Sequence, residues 1–157
     1  MVLKFLSVAS LLMITYARAP NTGFRIVSRN YPDYNFGVVN TNNGMILNTQ
    51  DEEFYVLSPG LTGQEGTVSF ESVSRPGFYF RHYNYLLDLD EYKNRNPHIF
   101  AEDATFYLRE NHFFRNYYAF ESVNYPNHFI RHQSYRLKIS TSDGSSLFEN
   151  DASFIMA

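Results

Sequence analysis

FESVSRPGFYFRHYNY (residues 70–85) recurs as FESVNYPNHFIRHQSY (residues 120–135), and this repetition decides the fold. Each copy is followed by a second short match, Asp103-Ala104-Thr105-Phe106 in the first case and Asp151-Ala152-Ser153-Phe154 in the second. A fixed internal period of about fifty residues means equivalent structural units, so a site built by one unit should be built again by the next. A worn third copy precedes these two. Aligned on Pro32, Pro76 and Pro126, Phe36 falls opposite Phe80 and Ile130, and Asp51-Glu52-Glu53-Phe54 falls opposite the two later Asp-Ala-Thr/Ser-Phe segments. The apolar positions survive in this copy, but Gly37 and Val38 stand where the others carry Arg-His. A constrained core combined with a released site produces that pattern.

Short runs in which apolar and polar residues alternate, separated by Gly, Asn, Asp and Pro, predict antiparallel strands with little helix. Residues 68–73 and 78–82 alternate around a turn at Arg75-Pro76-Gly77, and residues 86–89 and 136–139 supply matching third strands. Residues 104–108 and 153–156 supply the fourth. Asn42-Asn43-Gly44 and Asp143-Gly144 predict tight turns, and residues 92–97 predict a polar surface loop. Four strands in each of three units gives about twelve, which predicts an all-β protein and specifically a β-trefoil of three pseudo-repeats. The units fall at residues 24–66, 67–116 and 117–157 of one domain spanning 20–157.

Residues 1–19 are read separately. Lys4, the apolar run 5–14 and Ala17-Arg18-Ala19 predict a secretory signal peptide cleaved after Ala17 or Ala19, because the run is too short to span a membrane. Cleavage removes Lys4 and Arg18 and takes the formal charge from −3 down by two, to −5. An acidic domain with dispersed basic residues excludes nucleic acid as a partner, and no basic amphipathic helix points to a membrane surface. With no cysteine, the domain must be held by its core, and the chain's 15 Phe and 13 Tyr, all but Phe5 and Tyr16 beyond residue 19, supply the volume.

The repeated polar residues are the candidate site. A carboxylate accepts hydrogen bonds from neighbouring hydroxyls, a neutral imidazole donates to one oxygen and accepts from another, and an aromatic face packs on the C–H face of a sugar ring. His82, Tyr83, Asn84 and Asp103 supply these parts in the second unit, and His132, Ser134 and Asp151 in the third. The same Asp residues could instead be turn or cap formers. Arg81 and Arg131 could pair with Glu71 or Glu121 and fasten adjacent units. Hydrolysis of a glycosidic bond needs two carboxyl groups facing one another, whereas here each unit repeats one. No nucleophile motif, phosphate loop or metal-ligand spacing is present, so neither a cofactor nor a metal is expected.

At these residues the chain resembles the arabinose-binding domain of fungal α-L-arabinofuranosidase B, carbohydrate-binding module family 42, whose signature is similar to the repeated FESV…P…RH stretch and the following DATF. The resemblance covers the whole chain beyond residue 19 and implies a β-trefoil that binds arabinofuranose side chains of polysaccharides such as arabinoxylan. It implies sugar contacts at His82, Tyr83, Asn84 and Asp103, and again at His132, Ser134 and Asp151. Gln133 in place of Tyr83 implies a second pocket without its aromatic wall, and Val38 a silent first unit. The expected protein is therefore a secreted, extracellular, monomeric and non-catalytic carbohydrate-binding module. The alternatives are a signalling or structural trefoil with a protein partner, and a fragment of an arabinofuranosidase whose catalytic domain lies elsewhere.

Overall fold

The computed structural model describes residues 22–92 and 96–157; the segment read as a signal peptide lies outside them. Among the described residues there are twelve strands: β1 (Ile26–Ser28), β2 (Asn35–Val39), β3 (Asn43–Leu47), β4 (Phe54–Leu57), β5 (Thr67–Ser72), β6 (Phe78–Tyr83), β7 (Leu86–Glu91), β8 (Phe106–Glu110), β9 (Tyr118–Ser122), β10 (His128–Gln133), β11 (Arg136–Thr141) and β12 (Phe154–Met156). All pairings are antiparallel.

The strands form a single sheet that closes on itself. β1 pairs with β12, β12 with β9, β9 with β8, β8 with β5 and β5 with β4. Phe54 at the start of β4 bridges back to Phe24, two residues before β1, through reciprocal backbone hydrogen bonds of 2.9 Å. The hairpins β2–β3, β6–β7 and β10–β11 lean on one another, since β3 touches β7, β7 touches β11 and β11 touches β3.

Each hairpin is entered through a proline turn. The backbone N–H of Tyr34, Phe78 and His128 donates to the carbonyl of Tyr31, Arg75 and Tyr125, at 2.8, 3.1 and 3.1 Å. Gly77 and Asn127, directly after their prolines, have positive φ, as the third position of a type II turn requires. The proline turns are thus in place as the sequence predicts.

Alternation places Phe36, Phe54, Phe70, Phe80, Phe106, Phe120, Ile130 and Phe154 fully inside. Their rings meet largely edge to face, for example Phe70 with Phe120 at 4.9 Å and 90° and Phe36 with Phe154 at 5.0 Å and 75°. The quadrupoles of aromatic rings favour that arrangement. A core of phenylalanine replaces the missing disulfides.

Three expectations need correction. Two short helices, α1 (Pro97–Asp103) and α2 (Ser146–Asp151), precede the repeated Ala104 and Ala152. Neither is long enough to show a helical period, although Pro97 in the first turn and the cap at Ser145, which accepts from the Phe148 N–H at 3.1 Å, are readable start signals. The expected loop at 92–97 therefore ends in a helix start, and residues 93–95 lie outside the described set. Asn42-Asn43-Gly44 is not the turn: Asn43 already pairs with Val39, and the loop is residues 40–42 with Asn40 at φ 56°. Gly44 is needed for a different reason, because a Cβ there would lie 2.5 Å from the Leu87 carbonyl oxygen. Asp143-Gly144 does bend the chain, with Gly144 at φ 74°, but it leads into α2 rather than closing a hairpin.

Candidate functional site

β6 presents His82 inward, and α1 ends at Asp103 beside it; both are buried. A third group, supplied by the next repeat, joins them. His82 Nε2 lies 2.9 Å from Asn124 Oδ1, and Asn124 Nδ2 donates to Asp103 Oδ1 at 2.8 Å. Ser122 donates to the same Asn124 oxygen at 2.8 Å. β10, α2 and the corner after β1 repeat the arrangement. His132 Nε2 lies 2.9 Å from Asn30 Oδ1, Asn30 Nδ2 donates to Asp151 Oδ1 at 2.8 Å, and Ser28 donates to Asn30 Oδ1 at 3.0 Å. Four polar side chains thus recur with the same partners in two places. Each cluster draws its histidine and its asparagine from different proline-containing stretches of the sequence.

The arginines belong to these clusters. Arg81 reaches Asp90 at 3.0 Å and Asp103 at 3.6 Å, and Arg131 donates to Asp151 Oδ2 at 2.6 Å. The expected pairing with Glu71 or Glu121 is therefore corrected. Glu71 instead accepts from the Gly77 N–H at 2.9 Å, and Glu121 pairs with Arg109 at 2.7 Å and accepts from the Asn127 N–H at 2.9 Å. These glutamates hold the proline corners.

Burial holds the His82 imidazole below its ordinary pKa of 6.5, against the opposing pull of the Asn124 hydrogen bond and of Asp103. Burial lowers His132 in the same way, with Asp151 opposing. Both rings are neutral at pH 7, so each has one donating and one accepting nitrogen. A carboxylate has about four lone-pair sites, so contacts from asparagine and arginine leave Asp103 and Asp151 with capacity for a ligand's hydroxyls.

Exposed tyrosines stand over both clusters. Tyr125 meets His82 edge-on at 4.8 Å, and Tyr85 meets Tyr125 at 5.6 Å. In the second cluster Tyr31 meets His132 at 5.4 Å, and Tyr135 meets Tyr31 at 5.8 Å. Gln133 stands in place of Tyr83, while Tyr31 and Tyr135 stand beside the second cluster as Tyr125 and Tyr85 do beside the first. Tyr83 itself is exposed, with its ring 5.0 Å from the Arg81 guanidinium carbon. Asn84 and Ser134 occupy the first position of their hairpin turns, each at φ 50°. Among the described residues no hydrogen bond ties either side chain to the clusters.

The first repeat lacks the arrangement. Val38 replaces the histidine, Asp51 is exposed, and Ser74 stands where Asn124 and Asn30 would be, 3.2 Å from the Ser72 hydroxyl.

The family model described as the alpha-L-arabinofuranosidase B (ABFB) domain matches residues 24–156, and the chain belongs to that family, of the arabinose-binding type. It is 54% identical over 41 residues to alpha-L-arabinofuranosidase B of Emericella nidulans, a match covering 26% of this chain and 8% of that protein. An arabinofuranosidase solved in complex with arabinofuranosyl-alpha-1,2-xylobiose matches with a TM-score of 0.67 and 26% identity, over 85% of this chain and 30% of that one. The fold alone is shared with a cytolethal distending toxin chain from Actinobacillus actinomycetemcomitans, at a TM-score of 0.65 and 16% identity, over 88% of this chain and 92% of that one. The chain thus spans less than a third of the arabinofuranosidases it matches.

Proposed function

We propose that this domain is a β-trefoil and a non-catalytic carbohydrate-binding module that takes arabinofuranose side chains of polysaccharides such as arabinoxylan. The units are residues 24–66, 67–116 and 117–157. The observation that carries the reading is the duplicated His–Asn–Asp cluster beneath exposed tyrosines, in a chain of the arabinose-binding family. A related arabinofuranosidase was solved with an arabinofuranosyl xylobiose, which fits the same ligand class. Asp103 and Asp151 accept from ring hydroxyls, His82 and His132 accept at Nδ1 from a third hydroxyl, and the tyrosines cover the apolar sugar face. Tyr83, Asn84 and Ser134 complete the rims. The one repeated acid per cluster leaves no opposed pair for hydrolysis.

Retention on immobilised arabinoxylan, with little on the same xylan stripped of arabinose, is the expected result; equal retention on both would overturn the reading. Residues 1–19 serve as a secretory signal, so mass spectrometry of protein from the medium should find Arg18 or Pro20 first. Because the chain spans 30% of a matching arabinofuranosidase, the same module also suits a larger enzyme, where it would hold the catalytic domain on its substrate.

A further inference from the structure

We infer that Asn124 and Asn30 are positioning residues, each supplied by one repeat to organise the pocket whose His and Asp belong to the repeat before it. The inference rests on the sugar-binding reading for its consequence, but its geometry stands alone. An asparagine side chain has one accepting and one donating end. Asp103 is an acceptor, so the Asn124 amide must turn its NH2 to that carboxylate, as the 2.8 Å contact shows. Its oxygen is thereby committed to the other side, where it meets His82 Nε2 at 2.9 Å and the Ser122 hydroxyl at 2.8 Å. Two acceptors cannot share that contact, so His82 must carry its proton on Nε2. The same reasoning through Asn30, Asp151 and Ser28 places the proton of His132 on Nε2.

One amide therefore does two things at each junction. It gives Nε2–H its nearest acceptor, closer than the Asp103 and Asp151 oxygens at 3.5 and 3.6 Å and the Ser122 and Ser28 hydroxyls at 3.3 and 3.2 Å, which leaves Nδ1 as the free acceptor, and it holds one carboxylate oxygen so that the remaining lone pairs face a ligand in a fixed direction. The junction ahead of Ser74 lacks both the histidine, replaced by Val38, and the asparagine. The two parts are missing from the same junction although they lie in different repeats, as expected if one has no use without the other. The second cluster further joins the last repeat to the first: Asn30 follows β1, and β1 pairs with β12.

The test uses Asn124→Ala and Asn124→Asp in the full chain, with 15N NMR of the histidine rings and titration with methyl α-L-arabinofuranoside. The parent should show Nε2–H at both His82 and His132. Asn124→Ala should leave His82 a mixture of tautomers and His132 unchanged, and weaken the probe at the first pocket by about tenfold. Asn124→Asp keeps the acceptor for His82 and should restore its tautomer, while adding a carboxylate beside Asp103 and leaving binding weak. A single Nε2–H tautomer at His82 in Asn124→Ala would overturn the inference; an affinity that falls while that tautomer persists would make Asn124 a direct sugar contact instead. If the parent binds no arabinofuranoside, the sugar reading fails, and the tautomers still decide the positioning role.

Discussion

Arg136 Nη1 donates to the carbonyl of Gly44 at 2.6 Å, across most of the sequence and at the point where the three hairpins meet. The same nitrogen reaches Leu87 O at 2.6 Å and Leu137 O at 3.4 Å. Gly44, Leu87 and Leu137 occupy equivalent positions, paired respectively with Val38, His82 and His132 on their hairpin partners. The two N–H bonds of Nη1 thus serve the Gly44 and Leu87 carbonyls, with the Leu137 carbonyl farther off, and Nη2 donates to Asp88. The first-repeat member of the three must be glycine, since a Cβ there would also lie 2.9 Å from Phe80.

Arg136→Met should therefore destabilise the domain more than an ordinary surface change. It leaves partly buried carbonyls and the Asp88 carboxylate without their donor, and hydrogen bonds to charged groups contribute about 1.5–3 kcal/mol each. A loss of about 3 kcal/mol is expected in urea denaturation, with the slope unchanged. Lys at this position should recover part of it, because an ammonium has three donors but cannot reproduce the planar fork.

The phenylalanine core gives a second stability prediction. Phe106 is fully buried, its ring centroid 6.2 Å from that of Phe70, and it pairs with Ser122 while Leu108 beside it pairs with Phe120. Phe106→Ala should cost about 3–5 kcal/mol by transfer and cavity terms together. An unchanged urea midpoint would remove Phe106 from the core.

The core and the turns were legible because each repeat carries its own copy of the signal. Phe36, Phe80 and Ile130 line up, and so do the three prolines, so simple alignment finds them. The junction asparagines were not found by that comparison, and the reason is geometric. Asn30 acts with His132 and Asn124 with His82, so partners sit in successive repeats. The first repeat has Asn30 without its own histidine, and the second has His82 above Ser74. Position-by-position comparison sees two unrelated irregularities there. Arg136 was equally hidden, since its equivalents are Leu86 and Asn43. The helices escaped for want of length.

Buried histidines make folding stability depend on pH in a definite sense. His82 and His132 are lowered from 6.5 by burial. Below about pH 6.5 the unfolded chain takes up protons that the folded one refuses. Stability is therefore full above that value and falls as pH drops toward the lowered folded values. The urea midpoint should decline between pH 7 and pH 5.5, and the decline should flatten in the His82→Gln, His132→Gln double variant even if that variant is less stable at pH 7.

The two aspartates give the test of binding, and the first repeat gives its control. Asp103 and Asp151 are each held from two sides in the free protein, by Asn124 and Arg81 and by Asn30 and Arg131. Asp103→Ala removes the acceptor of one pocket and should leave the other intact, halving the number of sites seen by titration. Hydrogen bonds to a charged acceptor contribute about 1.5–3 kcal/mol, so the affected pocket should weaken by about one to two decades. Asp51 is exposed, in the stretch that has Val38 for histidine, and Asp51→Ala should leave binding as it was. The double change at Asp103 and Asp151 should abolish retention on arabinoxylan while circular dichroism stays that of the parent. Retention that survived the double change in a folded protein would make these aspartates fasteners of α1 and α2, and the sugar would have to bind elsewhere.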